Sequence, residues 1–291
     1  MSQNLLNLAH LKEQDILELI ELANNFKSEG LIEYRHENLF PDKKVASIFC
    51  EPSTRTKLSC EIAACNLGAK FIDFNIENSS IQKGETLEDT IEAMMLMGID
   101  LCILRHSDSA IHELAKAFPE MQFINAGEGS IAHPSQALLD LMTIQESKEA
   151  FKDLKITIVG DLDHSRVVSS FLEAIQIVGY KSITFCGHPD LCKTFLENPV
   201  GNFEPELNTA LQDADVVIAL RIQNERLTEK LSISASDYVE RYQINVDSLQ
   251  VASPDMILLH PGPVNFGIEL NKACLLLLRS SKAPALTNPS N

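Results

Sequence analysis

Apolar residues along this chain recur in two alternating rhythms. Over residues 11–27, Ile16, Leu17, Ile20, Ala23 and Phe26 keep the period of an amphipathic helix. Apolar runs of strand length then alternate with helical stretches. Strands are expected at 45–49, 70–74, 99–104 and 121–124, and helices at 57–67, 86–97 and 110–117. Residues 134–150 predict one longer helix, opened by Pro134, whose fixed φ suits a first turn. A second series follows: strand 155–159, helix 164–178, strand 181–186, helix 188–197, a short helix near 205–212, and strands 215–220 and 256–260. Strands separated by helices build parallel sheets covered on both faces. The expected fold class is α/β, with two domains, each a parallel sheet flanked by helices. They are placed at 1–134 and 135–291, joined by the 134–150 helix, with the active site in the cleft between them. Ligands of open α/β sheets bind beyond the carboxyl ends of the strands, and each polar cluster below follows an expected strand.

Composition narrows the picture. The 291 residues are 45% hydrophobic, enough for a sizeable core. A net charge of −17 argues against nucleic-acid and membrane partners, which call for a basic face. Any anionic substrate must then be captured by a local group of Arg, Lys and His working against the global field. The seven cysteines are odd in number and lack CxxC spacing, which predicts reduced thiols in a cytosolic setting. Residues Met1–His10 lack the basic and apolar regions of a signal peptide, and no apolar run is long enough for a membrane helix. A cytoplasmic location is expected. The turn Val159-Gly160-Asp161 lacks GxGxxG, no Walker-type loop occurs, and the histidines have no compact ligand spacing, so neither cofactor nor metal is expected.

The most informative stretch is Ser53-Thr54-Arg55-Thr56, between a buried strand and a helix. Free N–H groups and the positive end of the helix dipole make such a place an anion site, and Arg55 adds a charge-assisted contact. Alone, the stretch reads equally well as an ordinary Ser/Thr helix cap. It is joined by Lys83-Gly84-Glu85-Thr86, read as a flexible loop before a helix, and by Arg105-His106 at a strand end. His133-Pro134-Ser135-Gln136 and Asp163-His164-Ser165-Arg166 open helices. Arg221 to Arg226 and His260-Pro261-Gly262-Pro263-Val264-Asn265 follow strands.

In this order and spacing, from about residue 5 to residue 270, these segments resemble the transcarbamylase family. Glu51-Pro52, the Lys83-Gly84-Glu85 loop and the His-Pro-Gly-Pro run resemble its aspartate branch, and the Ser-Met-Gly and His-Cys-Leu-Pro elements of the ornithine branch are missing. The resemblance implies transfer of the carbamoyl group of carbamoyl phosphate to the α-amine of L-aspartate, giving N-carbamoyl-L-aspartate and phosphate for pyrimidine biosynthesis. By the same resemblance, Ser53, Thr54, Arg55 and Thr56 hold the phosphate and Arg105 bridges phosphate and carbonyl. His133 and Thr56 polarise the carbonyl. Gln136 binds the carbamoyl amide with backbone carbonyls around Pro261, Gly262 and Pro263. Arg166, Arg221, Gln223 and Lys83 bind aspartate, while Ser79 and Lys83 reach into a neighbouring subunit's site, implying a homotrimer. Regulatory or dihydroorotase chains stay open as partners. No residue stands out as a base; the departing phosphate is suited to take the amine proton.

Other readings attach to single residues. His133 also fits a plain helix cap, Lys57 and Arg226 fit solvated charges, and His106, His164 and His260 fit packing roles. Asp161 and Asp163 read as turn and cap residues, and Met94, Met95 and Met97 as helix core. The chain departs from the family at Lys57 and Phe266, each in place of an arginine. It departs again in a tail, 271–291, where Leu275–Leu278 lack the polar side of a surface helix and the Ser/Pro-rich end looks disordered. Two alternatives follow: a transcarbamylase for another amino acid, or a non-catalytic carbamoyl-phosphate-binding paralogue.

Overall fold

The computed structural model describes residues 4–28, 39–108, 110–223 and 231–279. Arg226 and the chain beyond residue 279 lie outside the described residues, with the expectations placed on them. The chain divides into two compact units, Met1–Ser135 and Gln136–Asn291.

The first unit carries a parallel sheet in the order β2-β1-β3-β4. Its strands are β1 (Lys44–Phe49), β2 (Lys70–Phe74), β3 (Leu101–His106) and β4 (Gln122–Glu128). Alternation along β1 and β3 sends successive residues to opposite faces. Ala46, Ile48, Cys102 and Leu104 pack with Ile91 and Met94 of helix Leu87–Leu96 and with Ile111 and Leu114 of helix Ile111–Ala117. Val45 and Ile103 face the other way, toward Ala64 of helix Thr54–Asn66. Burial on both faces explains why these strands read as nearly continuous apolar runs, with Ser47 the exception in β1.

The second unit carries six parallel strands in the order β10-β9-β8-β5-β6-β7. They are β5 (Lys155–Val159), β6 (Ser182–Cys186), β7 (Asn202–Phe203), β8 (Val216–Ala219), β9 (Ile257–Leu259) and β10 (Leu278–Arg279). Helix Arg166–Val178 buries Val168, Phe171, Leu172, Ala174, Ile175 and Val178. Two domains of parallel sheet flanked by helices are therefore present.

Several elements differ from expectation. The span 188–197 is not a helix but two 3-10 turns, Pro189–Leu191 and Lys193–Phe195. Between them Cys192 turns inward, its Sγ 3.4 Å from the Gly160 carbonyl, while Asp163 accepts the N–H groups of Lys193 and Thr194. Those donors are satisfied from outside, so no helical ladder is needed. The long helix stops at Gln145, because Ser147 and Lys148 both donate to the Ile144 carbonyl and tighten its end. The stretch leading into the expected Lys83–Thr86 loop is wound into two 3-10 turns, Ile76–Asn78 and Ser80–Lys83, closed by Gly84 at φ 97°. Helix Ala235–Tyr242 was not expected. It buries only Tyr238 and Tyr242, one turn apart, too few positions to reveal a period. The leucine run forms a 3-10 segment, Lys272–Leu276, and then pairs as β10 with β9 at Leu278↔Leu258.

All seven cysteines are free thiols. Burial pushes Cys102 up to about 12, and burial together with Glu51 pushes Cys50 up to about 11.

Gly160, which ends β5, has φ 125°, and a Cβ there would stand 2.4 Å from the Leu220 carbonyl. The glycine permits close approach of two chain segments. Gly160→Ala is expected to cost about 2 kcal/mol or more, because strain and overlap add. Gly84→Ala, where a Cβ meets nothing within 4 Å, carries strain alone. Thermal midpoints of the two variants check this, and equal losses would contradict the steric account.

Candidate active site

In an open parallel sheet, neighbouring strands whose connections leave in opposite directions open a crevice at their carboxyl ends. The first unit has this switch between β1 and β3, since the chain runs from β1 outward to β2 and returns past β1 to β3. Phe49 lies opposite Arg105 in the register, and Cys50 N–H donates to the Arg105 carbonyl at 2.9 Å. Ser53-Thr54-Arg55-Thr56 and Arg105 thus leave adjacent strand ends.

Ser53 is the extended N-cap of helix Thr54–Asn66, and its hydroxyl makes no capping bond. No acidic residue occupies the first turn, so nothing offsets the positive end of the dipole. The opening N–H groups of a helix have no partners within it. The plain helix-cap reading of this stretch loses its main support.

Arg105 is held from two sides. Its Nε lies 3.4 Å from Glu51 Oε2 and its Nη1 donates to the Ala126 carbonyl at 3.2 Å. The side chain is only 11% exposed. Lys57 is turned elsewhere, its Nζ 2.8 Å from Asp73 Oδ2. It is therefore an ion-paired group on the β2 side.

His133 follows β4 after a tight loop in which Glu128 and Ala132 exchange backbone hydrogen bonds. The Gly129 N–H donates to the His106 carbonyl, tying the loop to the end of β3. His133 is buried, with Ser135 Oγ 3.3 Å from its Nδ1. Gln136, in the first turn of helix Pro134–Gln145, donates to Asp140 Oδ1 at 3.0 Å. Ser79 and Lys83 lie after edge strand β2. Ser79 Oγ donates to the Ile76 carbonyl and Lys83 is exposed.

The second unit has its switch between β5 and β8. Asp161, fully buried, sits there as an organiser. Its Oδ1 is 2.7 Å from His164 Nδ1, and its Oδ2 accepts the Gln223 N–H at 3.0 Å. The Gln223 side-chain amide donates in turn to the His164 carbonyl at 2.8 Å. The β5 loop bearing Arg166 and the β8 loop bearing Arg221 are thereby fastened together. Arg166 is buried at the first position of its helix, where the dipole disfavours a cation unless an anion is near.

Beyond β9, His260 is buried, as the packing reading required. Its Nδ1 accepts the Gly262 N–H at 2.8 Å, and its Nε2 lies 3.2 Å from Glu269 Oε1. Sequence reasoning missed Glu51 as the partner of Arg105 and passed over Glu269 altogether. No local pattern points to Glu269, because its partner stands nine residues upstream. Phe266 is 36% exposed. Among the described residues no group of three or more His, Cys, Asp and Glu is arranged to hold a metal, and no helix is long and apolar enough to cross a membrane.

Polar side chains gathered at the switch points of two parallel sheets define a two-domain α/β protein. Residues 3–146 match the family model described as aspartate/ornithine carbamoyltransferase, carbamoyl-P binding domain, and residues 152–280 match its Asp/Orn binding domain. The chain belongs to the aspartate/ornithine carbamoyltransferase family. It is 40% identical over 273 residues to an aspartate carbamoyltransferase catalytic subunit of Coxiella burnetii, covering 92% of this chain and 86% of that one. It is 40% identical over 270 residues to the corresponding subunit of Koribacter versatilis, covering 92% and 87%. Among solved structures, aspartate transcarbamoylase from Trypanosoma cruzi with carbamoyl aspartate and phosphate is similar at TM-score 0.83 and 27% identity, covering 96% of this chain and 89% of that one.

One buried group has no chemistry to perform. The Tyr238 hydroxyl has no hydrogen-bond partner among the described residues, and burial, with the charges of Glu269 and Asp161 nearby, holds the phenol well above its usual pKa. Removing an unpaired buried hydroxyl costs little. Tyr238→Phe is expected to shift stability by less than about 1 kcal/mol in either direction, read from the thermal midpoint. A loss above about 2 kcal/mol would show that the hydroxyl is paired.

Proposed function

We propose that this chain transfers the carbamoyl group of carbamoyl phosphate to the α-amine of L-aspartate, giving N-carbamoyl-L-aspartate and phosphate. The observation that carries the reading is the arrangement of two cationic groups, each at the switch point of its own sheet. One suits a phosphate and the other a dicarboxylate. Family membership and the kinship with named aspartate carbamoyltransferases support it.

In this reading the hydroxyls of Ser53, Thr54 and Thr56, the helix N–H groups and Arg55 hold the phosphate of carbamoyl phosphate. Arg105, steadied by Glu51, bridges phosphate and carbonyl oxygen. His133 and Thr56 donate to the carbonyl oxygen, where negative charge grows as the amine attacks. Gln136 and the backbone carbonyls around Pro261, Gly262 and Pro263 take the carbamoyl amide. Arg166 and Arg221, with Gln223 and Lys83, hold the two carboxylates of aspartate and aim its amine. The new C–N bond forms, the C–O bond to phosphate breaks, and the phosphate leaves with the amine proton. No cofactor takes part.

Ser79 and Lys83 serve a neighbouring subunit's site in a cytoplasmic homotrimer. Light scattering tests the assembly: three chain masses support it, and a single chain mass overturns it. The non-catalytic alternative draws its support from Phe266 and from the altered tail, whose leucine run ends as an edge strand on β9.

Carbamoyl transfer assayed with L-aspartate and L-ornithine decides among these readings. Product with aspartate alone is expected. Turnover of ornithine would overturn the two-arginine anchor, and no product from either would favour the non-catalytic protein. Arg105→Ala is expected to lower kcat by about 10²–10³, the usual loss for a donor aimed at developing charge. Arg166→Ala is expected to raise the KM for aspartate by about tenfold or more while leaving carbamoyl phosphate binding nearly unchanged.

A further inference from the structure

Arg105 stands opposite an irregularity in the first sheet. Leu104 pairs with Asn125 and His106 with Glu128, so two residues of β4, Ala126 and Gly127, face the single Arg105 of β3. A bulge of this kind bends its strand and re-aims the groups around it. Here it turns the Ala126 carbonyl onto the arginine, whose Nη1 donates to it at 3.2 Å.

What holds that carbonyl is the other end of its own peptide. The Ala126 carbonyl and the Gly127 N–H belong to one planar group and point in opposite directions when it is trans. The Gly127 N–H donates to Asn125 Oδ1 at 2.8 Å, which fixes the plane. Gly127 has φ 120°, where glycine rotates at little cost, so the residue itself does not hold it. Asn125 is fully buried, and its partners settle which way its amide faces. The Leu6 carbonyl can only accept, so Asn125 Nδ2 donates to it at 2.9 Å, with Glu128 Oε2 3.4 Å away, and Oδ1 is turned to Gly127. Leu6 is placed in turn by its neighbour: the Leu5 N–H donates to the Phe123 carbonyl and the Leu5 carbonyl accepts the Asn125 N–H, both at 2.9 Å. Every group from Leu6 to Arg105 belongs to the first compact unit.

We propose that Asn125, latched by the N-terminal segment at Leu6, is a positioning residue that holds Arg105 for carbamoyl phosphate through the Ala126–Gly127 peptide. Asn125 touches no reacting atom and lies outside every motif singled out in the sequence. The proposal rests on the function assigned above and extends it to a second fixture of Arg105, beside Glu51. An effect that passes through the guanidinium must vanish when the guanidinium is removed, which separates positioning from plain stability.

Carbamoyl phosphate is titrated calorimetrically into the full-length chain and its variants. Asn125→Ala releases the peptide plane and is expected to weaken binding about tenfold, the worth of one good hydrogen bond. The same change in an Arg105→Ala background is expected to weaken it by less than about twofold. Asn125→Asp combined with Glu128→Gln keeps an acceptor for the Gly127 N–H without setting two carboxylates face to face. That pair is expected to stay within about threefold of the wild-type affinity, although its thermal midpoint falls with the lost donor to Leu6. Asn125→Val fills the space, suits a strand and is expected to repeat the tenfold loss, which keeps the proposal testable if Asn125→Ala does not fold. Equal losses with and without Arg105 mark a merely structural residue and overturn the proposal. Unchanged affinity in Asn125→Ala or Asn125→Val overturns it too, as does a tenfold loss in the paired variant. Wild-type protein that does not bind carbamoyl phosphate overturns the functional reading first and this proposal with it.

Discussion

A parallel strand covered by helices on both faces meets solvent only at its ends. That constraint governs where chemistry sits in this protein. Along β1, β3, β5, β8 and β9 the side chains are spent on apolar packing, so polar groups collect where the strands stop. At the switch points, between β1 and β3 and between β5 and β8, adjacent chains leave in opposite directions and open room for a solute. Both cationic clusters stand there.

Carboxylates then give those strand ends their shape. Glu51 steadies Arg105, Asp161 fastens the loop of His164 to that of Gln223, and Glu269 secures the turn after β9. Both oxygens of Asp161 and one of Glu269 accept protein donors, and Glu51 stands beside the guanidinium it orients. The net charge of −17 describes the whole surface and says little about the local charge at the two strand-end clusters.

The departures from the family find separate structural answers. Lys57 is occupied by Asp73 and supplies no free cation at the helix start. Phe266 is partly exposed beside a turn whose backbone is secured by Glu269. The leucine run ends as an edge strand on β9, which gives Leu278 a partner and leaves Leu276 96% exposed.

The amino-acid sequence by itself determined the two α/β units, most strand positions and the motifs of the candidate site, because strand burial and helix starts leave local signatures in residue type and spacing. It misplaced a helix at 188–197, where Asp163, distant in sequence, satisfies the backbone in its place. It missed the helix Ala235–Tyr242, whose burial rests on two tyrosines. Tertiary structure alone decided the strand order, the fate of Lys57 and the partnerships of Glu51, Asp161 and Glu269. Those depend on which segments meet in space, and a side chain's partner across a turn or a sheet leaves no period in the chain that carries it.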